Sequence, residues 1–157
     1  MVADAVPHAT DRTARAAVRL VAPDGLDRIA AMLAAYLQEL GAPARYPYLP
    51  LYAADAARYA YEFHHGAQVV GFALVRRLEG TFEMAEFHVS PPWRRVGIGR
   101  AAVAALLATH PGAWEVASAV GMPAAERFWR EVLPDAERRR QGGRAVFHLH
   151  VAPGAVG

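Results

Sequence analysis

The segment from Val89 to Arg100, with the sequence VSPPWRRVGIGR, constrains the fold of this 157-residue chain more than any other stretch. It joins the end of an apolar strand pattern to a turn containing Gly97 and Gly99, and then to an apolar run with helical spacing. Glycine adopts backbone conformations closed to other residues and lets a ligand approach without meeting a Cβ atom. The first turn of a helix offers free N–H groups and the positive end of its dipole. The segment therefore predicts a binding site for an anion such as pyrophosphate.

Two common phosphate-binding loops do not fit this turn. The chain contains no lysine, whereas a Walker loop needs a lysine that reaches the phosphates. A dinucleotide-binding loop needs a third glycine and an acidic residue about 20 positions further on. Here Gly99 is followed by Arg100 and two alanines, and the next acidic residue is Glu115. Neither nucleoside-triphosphate hydrolysis by the Walker route nor dinucleotide binding is predicted.

Hydrophobic spacing and turn residues predict a single domain with the element order β-α-α-β-β-β-α-β-α-β-β. Strands are predicted at 18–21, 59–65, 68–77, 81–89 and 114–118 and in a final hairpin that turns at 142–143 and ends with 144–151. Helices are predicted at 26–40, around 53–58, at 98–109 and at 123–132. Residues 1–17 lack an apolar core segment and are expected to form a mobile leader, and residues 152–157 a C-terminal tail.

The pattern Arg94-x-x-Gly97-x-Gly99, preceded by Val89-x-Pro91, resembles the coenzyme A signature of the GCN5-related N-acetyltransferase (GNAT) family. The segments 114–116 and 125–130 resemble those of compact, poorly characterised bacterial members of this family. The resemblance spans about 18–151. It implies an α/β fold in which a mixed sheet of about seven strands, flanked by about four helices, splays open between the fourth and fifth strands.

The resemblance also implies a reaction, an acetyl-CoA-dependent transfer of an acetyl group to the amine of a small molecule. The chain contains no cysteine, so the transfer is expected to be direct, without an acyl-cysteine intermediate. Acetyl-CoA is the expected co-substrate, and no metal is expected. The residues that the resemblance assigns to the coenzyme lie on the fourth strand, the glycine turn and the fourth helix: Phe87, His88, Val89, Arg94, Arg95, Val96, Gly97, Ile98, Gly99, Arg100 and Phe128.

Acidic residues on the fourth strand are the candidates for the base that accepts the amine proton. Counting back from Val89 places the family's catalytic positions at Glu83 and Ala85, so Glu83 is the first choice and Glu86 the second. In a regular strand Phe87 shares the face of Glu83, while Glu86 and His88 point to the opposite side unless a bulge re-aims them.

The chain departs from the family where a proton donor for the leaving thiolate is expected. Family members often carry an asparagine before the fourth helix and a tyrosine within it, but this chain has Met122 and Trp129 at those positions. All six tyrosines lie between residues 36 and 61. The acid is therefore a tyrosine of the 46–52 loop, namely Tyr46, Tyr48 or Tyr52, or water serves. Otherwise the protein is a non-catalytic or altered acyl-CoA-binding module on the same fold.

Composition excludes several other classes. The net charge is only +2, with all 17 basic residues being arginine, which is far below the surplus of a typical nucleic-acid-binding domain. No apolar run is long enough to span a membrane, and a cytoplasmic location is expected. His148 and His150 share a strand face, but without a third nearby ligand they predict a solvated surface and not a metal site. The sequence leaves a homodimer open.

Overall fold

A mixed β-sheet organises the chain in a computed structural model that describes residues 17–43 and 45–154. Seven strands lie within these ranges: β1 (Arg19–Val21), β2 (Arg58–His65), β3 (Gln68–Leu78), β4 (Thr81–Val89), β5 (Gly112–Ala117), β6 (Glu137–Gln141) and β7 (Arg144–Val151). Four α-helices accompany them: α1 (Asp27–Glu39), α2 (Leu51–Ala54), α3 (Ile98–Thr109) and α4 (Pro123–Val132). The predicted class and element order are confirmed. Nearly all of the predicted leader, 1–17, and the end of the predicted tail, 152–157, lie outside the described residues.

The sheet has the strand order β1-β2-β3-β4-β5-β7-β6. Every neighbouring pair is antiparallel except β4 and β5, which are parallel. Their pairing covers only 81–83 of β4 against 113–115 of β5. Beyond Glu83 the two strands separate, so the sheet opens between the fourth and fifth strands, as the family resemblance implied.

Two apolar layers cover the sheet. On one face α1 contributes Ile29, Leu33 and Leu37, which are spaced four residues apart and pack with Phe72 and Leu74 of β3. The opposite face packs against α3 and α4 through a larger cluster, whose members include Ile98, Ala102, Leu106, Trp114, Trp129 and Phe147. The two faces of β4 therefore look into different environments.

Local chemistry moves some boundaries away from the predicted ones. The short helix expected around 53–58 lies at Leu51–Ala54 instead. It ends there because a carboxylate oxygen of Asp55 accepts the backbone N–H of Ala57 at 2.9 Å, which turns the chain out of the helix. A 3₁₀ turn at Pro91–Trp93, which the sequence did not predict, carries the chain from β4 toward the glycine turn.

Candidate active site

The glycine turn forms the predicted anion site at the start of α3. Gly97 is the N-cap residue and has φ 89°, a left-handed conformation that favours glycine. The first helical bond there runs from the N–H of Ala101 to the carbonyl of Gly97. The N–H groups of Ile98, Gly99 and Arg100 consequently have no acceptor within the helix and point out of its positive end.

Gly99 serves a different purpose from the one the sequence suggested. It has no positive φ, so its backbone does not require glycine. A Cβ atom at this position would lie 2.9 Å from the ring of Phe128 on α4, so glycine is needed for a close approach. Phe128 thus packs directly beside the first turn of α3.

Arg94 has other partners than an anion. Its Nε donates to the carbonyl oxygen of Val89 at 2.7 Å, and its two terminal nitrogens donate to the Glu39 carboxylate at 2.5 and 2.6 Å. These bonds raise the pKa of Arg94 and lower that of Glu39. Arg95 and Arg100 are exposed beside the turn.

A β-bulge in β4 decides which side chains share a face. Leu74 of β3 lies opposite Glu86, whereas the next residue, Val75, lies opposite Met84, so Ala85 is extra. One extra residue reverses the alternation of every side chain beyond it. The expectation that Phe87 shares the face of Glu83 is therefore wrong.

The faces of β4 are instead divided by chemistry. Phe82, Met84, Phe87 and Val89 pack into the cluster with α3 and α4. The other face, toward α1 and α2, carries Glu83, Ala85, Glu86 and His88. Glu86 and His88 had been expected on the far side from Glu83 in a regular strand, and the bulge brings all three ionisable groups to one side.

Glu86 is mostly buried and faces two tyrosine hydroxyls, those of Tyr36 and Tyr46. Burial raises its pKa above the ordinary value for a glutamate, and the hydroxyls of Tyr36 and Tyr46 partly oppose that rise because they stabilise the carboxylate. In return, burial and then the negative charge of Glu86 raise the pKa of both tyrosines. A half-buried carboxylate with a raised pKa and two facing hydroxyls has the properties of a general base.

Glu83 is on the same face but is already engaged. Its carboxylate lies 3.3 Å from a terminal nitrogen of Arg76 on β3. Across the sheet it is in register with Glu115 of β5. Its negative charge also helps to raise the pKa of Glu86.

His88 is enclosed between α1 and the sheet. Its ring centroid is 5.3 Å from that of Tyr36 and 5.7 Å from that of Phe72. Burial, followed by the positive charge of Arg94, lowers its pKa to about 4, against the opposing influence of Glu39. His88 is therefore a neutral side chain near pH 7 on the α1 face, away from the side of β4 that carries Phe87.

The loop tyrosines are unequally placed. The Tyr46 hydroxyl faces Glu86, and Tyr52 is buried beneath α1, where burial raises its pKa. Tyr48 is 56% exposed and packs edge-on against Tyr46 with ring centroids 5.8 Å apart. The structure thus brings Tyr46 to the candidate base and leaves Tyr48 at the rim.

Aromatic rings occupy the other side of the open sheet. Phe87 stacks on Phe128 with centroids 5.6 Å apart and meets the edge of Trp129 at 5.1 Å. Trp129 is buried, and its indole N–H has no useful acidity. Met122 is the N-cap residue of α4 and makes no side-chain capping bond, which an asparagine could make.

Two residues that contact candidate site residues, Tyr36 beside Glu86 and Glu39 beside Arg94, were not singled out from the sequence. Both lie on α1, three positions apart, and α1 was interpreted only through its apolar spacing. Polar residues three apart on a helix lie on one side of it. That spacing, next to a helix end and before a tyrosine-rich loop, was the available signal.

No group of three histidine, aspartate or glutamate side chains is placed to hold a metal ion within 17–43 and 45–154. Within the same ranges, no helix is both long and apolar enough to cross a membrane.

Comparison with known proteins identifies the family that this fold and turn define. A model described as the Acetyltransferase (GNAT) family matches residues 26–133. The chain therefore belongs to the GNAT acetyltransferase family, as the glycine-turn signature predicted. A search of curated protein sequences found no match.

Solved structures agree with this assignment at the level of the fold. An acetyltransferase from Thermus thermophilus aligns with a TM-score of 0.71 and 14% identity, over 86% of this chain and 97% of that one. The PaiA N-acetyltransferase of Thermoplasma acidophilum, solved with coenzyme A, aligns with a TM-score of 0.64 and 8% identity, over 85% of this chain and 99% of that one. A GNAT acetyltransferase from Elizabethkingia anophelis, with acetyl-CoA bound, aligns with a TM-score of 0.56 and 10% identity, over 85% of this chain and 97% of that one.

Proposed function

We propose that this protein transfers an acetyl group from acetyl-CoA directly to the amine of a small molecule. The observation that carries the proposal is the position of the bulge in β4. It puts a half-buried carboxylate, Glu86, on the α1 face of the strand that leads into the anion-binding turn. A candidate base and a candidate coenzyme site are thereby joined by one short segment.

The glycine turn is suited to the coenzyme pyrophosphate. Free N–H groups at the start of α3 and the left-handed Gly97 make a cradle for phosphate oxygens. On β4, pairing with β5 stops at Glu83, so the edge formed by 84–89 has no strand partner in the described part of the chain. Its backbone groups are available to the amides of a pantetheine arm and to the thioester carbonyl. We include Phe87, Val89, Arg95, Val96, Arg100 and Phe128 in this binding region.

Glu86 is our first choice for the base, with Glu83 as the competing assignment. An amine must lose a proton to attack the thioester, and a carboxylate with a raised pKa is a better proton acceptor near neutral pH than an ordinary one. Glu86 has that property through burial. Glu83 is already paired with Arg76, so its carboxylate is less available to a substrate amine.

Direct transfer leaves a thiolate that needs a proton. Trp129 occupies the position where family members often have tyrosine, and it does not supply one. Among the loop candidates, Tyr46 is the one whose hydroxyl interacts with Glu86, and Tyr48 and Tyr52 remain alternatives. A water molecule is the remaining candidate for the proton donor. The absence of cysteine from the chain agrees with transfer in one step.

The proposed binding of acetyl-CoA is tested by introducing a carboxylate into the glycine turn. Gly97→Glu adds bulk and negative charge where the pyrophosphate should lie, and we expect it to abolish acetyl-CoA binding in calorimetry. Gly97→Ala separates backbone strain from charge, and Gly25→Glu is the matched control because no atom lies within 4 Å of a Cβ there. Unchanged affinity in folded Gly97→Glu would remove the coenzyme assignment.

The catalytic half is tested by thiol release from acetyl-CoA against a panel of small amines. Amine-dependent release is the expected result. A non-catalytic acyl-CoA-binding module is the second candidate, and Met122 and Trp129 are the observations that favour it. Tight acetyl-CoA binding without release for any amine would establish that alternative.

A further inference from the structure

The guanidinium group of Arg94 is occupied by protein groups. Three of its five N–H donors are used, by the Val89 carbonyl at 2.7 Å and by the two carboxylate oxygens of Glu39 at 2.5 and 2.6 Å. The paired terminal nitrogens are the part of arginine that grips carboxylates and phosphates. In this structure both terminal nitrogens of Arg94 donate to Glu39, which is the last residue of α1.

Arg94 stands immediately before the most strained part of the glycine turn. Arg95 has φ 62°, a left-handed conformation that non-glycine residues rarely adopt. Such a conformation is unfavourable for a residue with a side chain and persists only where its surroundings fix it. Gly97, two residues on, is left-handed as well. The bonds of Arg94 to Val89 and Glu39 fix the chain where the strain begins.

We propose that Glu39 is a positioning residue for the coenzyme site, acting through Arg94 to hold the glycine turn in the shape that presents its N–H groups to pyrophosphate. Arg94 is then a strut between β4, α1 and the turn, and not itself a phosphate ligand. This inference rests on the proposed coenzyme function. It adds to the site a residue 58 positions before Gly97 in the sequence.

The competing account is that Arg94 leaves Glu39 and binds phosphate when the coenzyme arrives. The two accounts predict opposite signs for one variant. If Arg94 is a phosphate ligand, Glu39→Gln frees it, and the KM for acetyl-CoA falls or stays the same. If Arg94 is a strut, Glu39→Gln loosens the turn, and that KM rises.

The experiment is a double-mutant cycle of Glu39→Gln, Arg94→Gln and the double variant, with KM for acetyl-CoA and kcat measured for each. We expect each single variant to raise KM about three- to tenfold with kcat within threefold of the parent. The double variant should be no worse than the poorer single one, because both remove the same ion pair. Glu79→Gln is the matched control, since it is exposed in the turn before β4, at the opposite end of that strand from Val89.

Amide hydrogen exchange of the ligand-free protein gives a readout that does not depend on the coenzyme. Faster exchange confined to 95–100 in Glu39→Gln, with the rest of the chain unchanged, is the expected result. A KM for Glu39→Gln within twofold of the parent, or exchange equal to the parent's at the turn, would overturn the inference. If the parent itself binds no acetyl-CoA, the proposed function fails, and the exchange data show separately whether Glu39 holds the turn.

Discussion

His88 should make the stability of this protein depend steeply on pH below neutrality. Its ring is enclosed by Tyr36 and Phe72, and Glu39 and Arg94 are the charged groups that act on it. Burial and Arg94 together lower its pKa from 6.5 to about 4, while Glu39 acts in the opposite direction. The folded protein therefore resists protonation at a position where the unfolded chain accepts it.

The sign and size follow from that difference. Between pH 6.5 and about 4 the unfolded state binds the additional proton, so the free energy of unfolding falls as the pH falls through this window. Above pH 6.5 His88 is neutral in both states, so the free energy of unfolding no longer changes through this group. Each pKa interval of one is worth about 1.36 kcal/mol, so the loss from His88 by pH 4 is about 3 kcal/mol. Glu86 works in the opposite direction, because its raised pKa makes the folded state the better proton acceptor.

Urea unfolding of the parent and of His88→Gln between pH 4 and 7.5 measures the effect, because the difference between the two curves isolates this one group. We expect the parent to lose about 3 kcal/mol more than the variant across the window. His88→Leu is a second neutral replacement, and exposed His150→Gln is the control that should retain the parent's slope. Parallel curves for the parent and both His88 variants would refute the reasoning.

Three further outcomes test the site and its packing. Glu86→Gln should lower kcat by roughly 10²–10⁴, the range for a positioned base, and more than Glu83→Gln does; the reverse order would make Glu83 the base. Tyr46→Phe should lower kcat about 10- to 100-fold, and the acidic limb of the kcat/KM profile should move to higher pH because Glu86 loses a stabilising hydroxyl. A loss beyond 100-fold without that movement would point to Tyr46 as the acid. Gly99→Ala should reduce the free energy of unfolding by about 1–2 kcal/mol through its clash with Phe128, and equal or higher stability in urea would contradict that packing.

The sequence predicted the elements because each carries a local signal. Proline and glycine mark the turns, and Ile29, Leu33 and Leu37 repeat at helical spacing. The prediction that the sheet opens between β4 and β5 came from the family resemblance and not from the hydrophobic pattern. The helix at Leu51–Ala54 was misplaced because its end depends on one hydrogen bond, which the Asp55 carboxylate accepts from the N–H of Ala57.

The bulge was the feature that most affected the candidate site. Its position depends on pairing with β3, which a local reading does not contain. A trace was nonetheless present, because the apolar residues of β4 change parity, from Phe82 and Met84 to Phe87 and Val89. A strand that keeps one apolar face through such a change must carry an extra residue between the two pairs. Reading that parity would have placed Glu86 with Glu83.

Helix α1 connects the two halves of the proposed reaction. Tyr36 reaches the candidate base Glu86, and Glu39 holds Arg94 beside the glycine turn. The two side chains are three residues apart, which puts them on neighbouring parts of one helix face. Leu33 and Leu37 fix that helix to the sheet, and their spacing leaves little freedom to rotate. A change that tilts α1 should therefore affect acceptor and coenzyme affinity together, because one rigid element positions a partner for each.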